Sequence, residues 1–220
     1  GTKLHLQLRD EPKTEVKGIL VPGTDESTSI INLSFGISVV DAVSDYALTS
    51  ADFAATIERS AESLRSTAES VLAEAAQDVY EKDLSGNIYP ESRALIAAHR
   101  AKGHTIVIVS SATQYQVQHV AAELGVEHVL CTKLEVKDGT LTGAIVPPVC
   151  FGEGKVSAAR QFAAEHGIKL ERSYFYTDGG EDIPLLEAVG FPRPLNPDRK
   201  LTRKARHEDF AQPWNPASGF

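Results

Sequence analysis

From Tyr89 to residue 208 short apolar runs alternate with amphipathic stretches, and glycine closes most of the latter. That rhythm constrains the fold more than anything else in the chain. A helix over 90–102 stops at Gly103, where a left-handed residue ends a helix cheaply. Strand 105–109, helix 114–124 closed by Gly125, and strand 127–130 follow. Asp138-Gly139 between Leu134-Glu135-Val136 and Leu141-Thr142-Gly143-Ala144 marks a hairpin. Helix 155–166 stops at Gly167, and strand 173–176 runs into an acidic loop. A helix over 182–189, a strand over 191–195 and a helix over 198–207 complete the series. Such alternation predicts an α/β fold: a Rossmann-like three-layer core, its parallel sheet wrapped by helices, with ligands at the carboxyl ends of the strands.

The first third is less regular. Leu4, Leu6 and Leu8 alternate with His5, Gln7 and Arg9, the period of a half-exposed strand, so 1–15 read as an N-terminal extension or edge strand. Val16 to Val21 form a short apolar strand closed by Pro22-Gly23-Thr24, taken as the first core strand. Residues 29–82 look helical, with Phe53, Ile57, Leu64, Val71, Leu72, Ala75 and Val79 on one stripe. A helical block too long for one crossover predicts a helical cap (29–88) inserted after the first core strand, with 16–28 and 89–208 forming the core and 209–220 an irregular tail. The chain has 220 residues, 42% of them hydrophobic, enough for a substantial core. Its net charge of −8 argues against a nucleic-acid partner. No apolar run is long enough to span a membrane. Cys131 and Cys150 are too few for a disulfide framework and point to a reducing, cytoplasmic setting. The absence of methionine and the Gly-Thr start suggest a domain excised from, or fused or docked to, something larger.

Four positions could carry chemistry. Asp178 and Asp182 lie where a strand passes into a helix, a place from which carboxylates can present a hard cation. The competing reading is a solvated loop with Asp182 as N-cap ahead of Ile183-Pro184. Lys155 opens a helix after Gly152-Glu153-Gly154, where a cation is unfavourable unless an anion lies between it and the helix; the plain alternative is an exposed lysine. Ser110 ends the strand Ile106-Val107-Ile108-Val109 and, with the amides that follow, can hold phosphoryl oxygens, with Ser111 as the competing choice and a local turn as the plain one. His99, His104, His119 and His128 show no metal-ligand spacing.

Serine, lysine and paired aspartates in that order resemble the second, third and fourth motifs of the haloacid dehalogenase-like (HAD) phosphatases. Pro184-Leu185-Leu186-Glu187-Ala188-Val189-Gly190 and Asn196-Pro197-Asp198 are similar to the phosphoserine-phosphatase-like branch, subclass IB. The resemblance implies a phosphate site at Ser110 or Ser111 and Lys155, and Mg2+ at Asp178 and Asp182. It also implies an Asp-x-Asp-Gly-Thr loop after the first core strand, the first aspartate attacking phosphorus and the second acting as general acid and base. On Leu20-Val21-Pro22-Gly23-Thr24 those two positions are Leu20 and Pro22, which can do neither. The expectation is therefore a degenerate phosphatase-type domain that keeps an anion pocket for inorganic phosphate or a phosphorylated small molecule, binds magnesium weakly or not at all, and serves a binding or regulatory role. Two alternatives stand beside it: an active magnesium-dependent phosphomonoesterase using Asp10 or another carboxylate, and a purely structural partner domain.

Overall fold

The computed structural model describes residues 29–32 and 50–207. Its centre is a six-stranded sheet of order β4-β3-β2-β1-β5-β6. The strands are β1 (Ser29–Asn32), β2 (Ile106–Thr113), β3 (His128–Lys137), β4 (Thr140–Val146), β5 (Tyr174–Thr177) and β6 (Phe191–Pro194). β1 pairs in parallel with both β2 and β5, and β3 and β6 extend the parallel set outward. Only β4 is antiparallel, joined to β3 by the Asp138-Gly139 turn, whose two residues both have positive φ. The helices are α1 (Ser50–Ser63), α2 (Glu69–Val79), α3 (Pro90–Ala101), α4 (Gln114–Leu124), α5 (Glu153–His166), α6 (Ile183–Ala188) and α7 (Arg199–His207).

Successive β2 side chains serve opposite layers, as strand periodicity requires. Ile106 and Ile108 pack with Leu95 and Ile96 of α3 and Val117 and Val120 of α4. Val107 and Val109 pack with Val156, Ala159 and Phe162 of α5, Leu185 and Leu186 of α6 and Leu201 of α7. The predicted three-layer core is thus present, and its helices and strands from residue 90 onward lie within a few residues of the expected bounds, except that β2 and β3 run longer.

Two expectations need correction. Residues 29–32, read as helix, form the central strand. A run as short as Ile30-Ile31 does not distinguish strand from helix by period, and here two flanking parallel partners decide it. Residues 29–32 thus belong to the sheet and not to the helical block that follows. The strand expected at 16–21, the extension over 1–15 and the tail over 209–220 lie outside the described residues. The second correction concerns the cap stripe. The helix expected over 50–82 breaks at Ser66, which has φ 66°. This break resets the helical phase, so Val71 and Val79 are 53% and 46% exposed while Leu64 and Leu72 pack on Leu134, Leu141 and Tyr115. Beyond α2 the chain continues as one π-helical turn, Tyr80–Leu84. The cap is fastened to the β3–β4 hairpin by backbone hydrogen bonds: Ser66 N–H to Leu141 O at 2.9 Å, Leu141 N–H to Thr67 O at 2.9 Å and Glu69 N–H to Gly139 O at 2.9 Å. Phe53 of α1 also stacks on Phe151, ring centroids 3.9 Å apart.

A buried histidine pair carries a pH prediction. His99 Nε2 lies 2.9 Å from the Tyr176 hydroxyl, and its Nδ1 lies 2.8 Å from Nδ1 of His104. Burial, then repulsion from His104 and Lys102, holds the His99 pKa down at about 4 from its ordinary 6.5. Between those values the unfolded chain binds the proton and the folded chain does not. Stability is therefore complete above the ordinary value and falls as pH drops towards 4, by about 3 kcal/mol for the full shift. Urea unfolding across this window should show a steeper pH slope for the parent chain than for His99→Gln; equal slopes would refute the assignment.

Candidate functional site

The sheet register brings the separated motifs to one edge. Ile31 of β1 is level with Ile108 of β2 and with Tyr176 of β5. Ser110 and Asp178 each stand two residues beyond those partners, at the carboxyl end of the parallel strands, flanking the end of β1. With neighbouring strands about 4.8 Å apart, the two positions are separated by about 10 Å. The residue that closes β1 is Asn32, paired in register with Val109. Ser110 is buried whereas Ser111 is only half-buried, and the Ser110 hydroxyl accepts a hydrogen bond from Ala112 N–H at 3.2 Å. The local turn and the edge position therefore coexist at Ser110.

Lys155 is not an exposed turn lysine, and Asp182 is not a solvated cap. The Lys155 ammonium lies 2.6 Å from Asp182 Oδ1, with the two side chains 1% and 0% exposed. The other oxygen, Oδ2, accepts the Thr177 hydroxyl at 2.6 Å, and Thr177 Oγ1 in turn accepts Gly179 N–H at 3.2 Å. Asp182 makes no side-chain cap on α6. Burial is the largest single effect and disfavours the ammonium, but the Asp182 and Glu181 charges together with the Asp182 hydrogen bond hold the Lys155 pKa above the ordinary lysine value. Lys155 reaches this place because the preceding turn is tight. Gly152 takes φ 51°, and a Cβ on Gly154 would sit 1.8 Å from the Val149 carbonyl oxygen. The predicted glycine-rich turn is thus required by space, whatever ligand it serves.

Three further residues shape the edge that sequence reading did not assign to it. Thr177 orients Asp182 as described. Glu181 is half-buried, and burial and then the neighbouring Asp182 charge push its pKa up. Asp198 was legible only as part of a branch-typical tripeptide, yet it ties the acidic loop to α7. Its carboxylate accepts Gly180 N–H at 2.9 Å and Leu201 N–H at 2.7 Å, while its own N–H donates to Asp178 O at 2.8 Å. Loss of an N-capping carboxylate costs about 1–2 kcal/mol. Asp198→Ala should lower stability by that amount, and the Gly180 amide should lose its protection in hydrogen exchange. Unchanged exchange at Gly180 would contradict the brace.

The donor set fits a divalent cation poorly. Both Asp182 oxygens are engaged, and burial keeps the pKa of the half-buried Asp178 raised. Among the described residues no three His, Cys, Asp or Glu side chains group as metal ligands. The charge of Asp178 also reaches Tyr89, whose phenol is pushed up to about 12 by burial first and by that carboxylate second. Leu20, Pro22 and Asp10 lie outside the described residues. Cys131 and Cys150 are buried free thiols raised by burial to about 11 and about 12, and Cys150 lies close enough to the edge to interact with the Lys155 and Asp182 charges and the Ser110 backbone. No helix among the described residues is long and apolar enough to cross a membrane.

The comparisons agree with this layout. The model of the haloacid dehalogenase-like hydrolase family matches residues 38–187, a span that begins after β1. A probable phosphatase of Mycobacterium tuberculosis is 42% identical over 118 residues, which cover 54% of this chain and 41% of that protein. The chain thus spans well under half the length of that curated relative. Among solved structures, a Bordetella pertussis Tohama I protein of unknown function superposes with TM-score 0.73 at 23% identity, covering 88% of this chain and 100% of that one. A phosphoserine phosphatase in its apo form superposes with TM-score 0.59 at 19% identity, covering 81% and 90%. With two thirds of its length under the family model and a fold shared with phosphoserine phosphatase, the chain belongs to the haloacid dehalogenase-like hydrolases.

Proposed function

We propose that this chain is a HAD phosphatase-type domain that has lost phosphoryl transfer and retains a pocket for inorganic phosphate or a small phosphorylated ligand, in a binding or regulatory role. One observation carries the reading. The central strand, which in this family delivers the nucleophile, closes on Asn32, and the next alternate residue is Ser34. On this reading the missing aspartates correspond to Asn32 and Ser34 rather than to Leu20 and Pro22. An amide carries no charge with which to attack phosphorus or hold magnesium, and a serine hydroxyl does not titrate near neutral pH and is a poor general acid and base. The family is generally magnesium-dependent; here Asp178 would supply one carboxylate and water the rest, so binding should be weak or absent. Ser110 and Lys155 would hold the phosphoryl oxygens, the lysine charge being shared with Asp182. The two buried thiols support a reducing, cytoplasmic compartment.

The test is an assay of the chain with magnesium and a panel of phosphomonoesters beside a phosphorus-31 titration with orthophosphate. Turnover at background with saturable phosphate binding, weakened in Ser110→Ala, is the expected result. Turnover that tracks the protein through purification would overturn the loss of activity, and an absence of phosphate binding would overturn the pocket. The name of the M. tuberculosis relative, a probable phosphatase, favours one second reading: an active magnesium-dependent phosphomonoesterase using Asp10 or another carboxylate. On that reading the chain turns over, and Asp10→Asn abolishes turnover if Asp10 is the nucleophile.

A further inference from the structure

Two exposed rows of opposite charge share one spacing. On α7, Arg199, Arg203 and Arg206 stand at i, i+4 and i+7, all exposed, and among the described residues none of the three has an ion-pair partner. On α2 and the turn that continues it, Glu74, Asp78 and Glu81 repeat that spacing, also all exposed. Asp78 meets Lys82 at 2.8 Å and Glu81 accepts from Gln77 at 2.7 Å, both at the surface, where such contacts are exchanged readily. Each row is about 10 Å long at 1.5 Å per residue. Beside the acidic row runs the exposed apolar stripe of Val71, Ala75 and Val79. Beside the arginines lies a shallow cleft of about 430 Å³ lined by Pro197, Thr202 and the arginine stems. The apolar face of α7 itself is spent on the core: Leu201 and Ala205 are buried.

We propose that α7 of one molecule docks along α2 of a second copy, with arginine opposite carboxylate and the valine stripe over the cleft. The matched spacing and opposite sign of the two rows favour this occupant. Because the two faces are different surfaces, the contact is heterologous, and association grows with concentration rather than stopping at a closed pair unless the rotation closes.

Sedimentation velocity of the chain tests it. At low salt, about 0.02 M, the weight-average mass should rise with protein concentration, and at about 0.5 M it should return to the monomer as the charges are screened. Arg199→Glu/Arg203→Glu/Arg206→Glu should associate roughly 10-fold or more weakly. Glu74→Arg/Asp78→Arg/Glu81→Arg should do the same, and an equimolar mixture of the two variants should associate again. All six positions are exposed, so circular dichroism should report parent-like folding; where a triple variant fails that check, Arg203→Glu and Asp78→Arg replace them in the same mixing design. A parent chain that stays monomeric at low salt, variants that associate as the parent does, or a mixture that does not recover would each overturn the proposal. Binding of the arginine row to anionic lipid vesicles without self-association would assign the surface to a polyanion instead, and would equally overturn it. None of these outcomes depends on whether the sheet edge binds phosphate.

Discussion

Asn32→Asp/Ser34→Asp should convert the chain into a magnesium-dependent phosphomonoesterase, with turnover on the order of 10^3-fold or more above the parent background. The Lys155–Asp182 pair is buried and hydrogen-bonded to Thr177, Ser110 directly follows the last β2 residue paired with β1, and Asp198 clamps the loop that carries Asp178. What the proposed reading lacks is an ionised oxygen at the tip of the strand between them. Asparagine and aspartate are nearly isosteric, so the first substitution supplies charge at little cost in packing. On the proposed reading it also supplies a second carboxylate for magnesium, added to that of Asp178. The second substitution supplies a group able to take and return a proton. Asn32→Asp alone should therefore raise magnesium affinity and give a burst of phosphoryl transfer with slow release, while the pair should cycle.

The same pair of aspartates placed at Leu20 and Pro22 separates the two locations of the loss. Since β1 occupies the centre of the sheet, Leu20→Asp/Pro22→Asp should leave activity at background. Gain at 20 and 22 with none at 32 and 34 would return the nucleophile position to the earlier segment. Silence in both variants, with phosphate binding intact, would mean that the edge no longer positions a phosphoryl group for in-line attack.

What was legible in the sequence follows from how local each determinant is. α3, α4 and α5 end at or next to glycines that announce themselves, and the Asp138-Gly139 turn needs no knowledge of distant residues. β1 is the opposite case. Its four residues become strand because β2, some seventy residues later, and β5, later still, lie on either side of it, and no local window contains them. The cap stripe failed for a related reason: one residue in the left-handed region, Ser66, rotated everything after it, and a periodicity read straight through 50–82 could not register that. Ser110, Lys155, Asp178 and Asp182 were singled out by their order along the chain. That Asp182 spends both oxygens on Lys155 and Thr177 was not readable, because twenty-seven residues and a full crossover separate the ion pair. Asp198 was visible only within Asn196-Pro197-Asp198, and its hydrogen bond to Gly180 belongs to the folded edge alone.

Asp182→Ala is expected to destabilise the chain by about 3–5 kcal/mol, a large fraction of the total stability of a domain. The substitution leaves the Lys155 ammonium buried, 1% exposed, without the carboxylate that compensates it, and leaves the Thr177 hydroxyl without its acceptor. The midpoint of thermal unfolding should fall by on the order of 10 °C. Asp182→Asn, which keeps the shape and an acceptor for Thr177 but not the charge, should fall between the parent and the alanine variant. Lys155→Met/Asp182→Leu removes both charges and refills the volume, and it should recover most of the loss, since a buried pair repays little beyond its own desolvation. Urea unfolding of the four proteins measures this directly, and an alanine variant within 1 kcal/mol of the parent would mean that water reaches Lys155 in solution. The apolar double variant then separates two roles of one pair. It should fold as well as the parent and yet fail to bind orthophosphate, because the cation that would meet the phosphoryl oxygens is gone while the sheet edge around it stands.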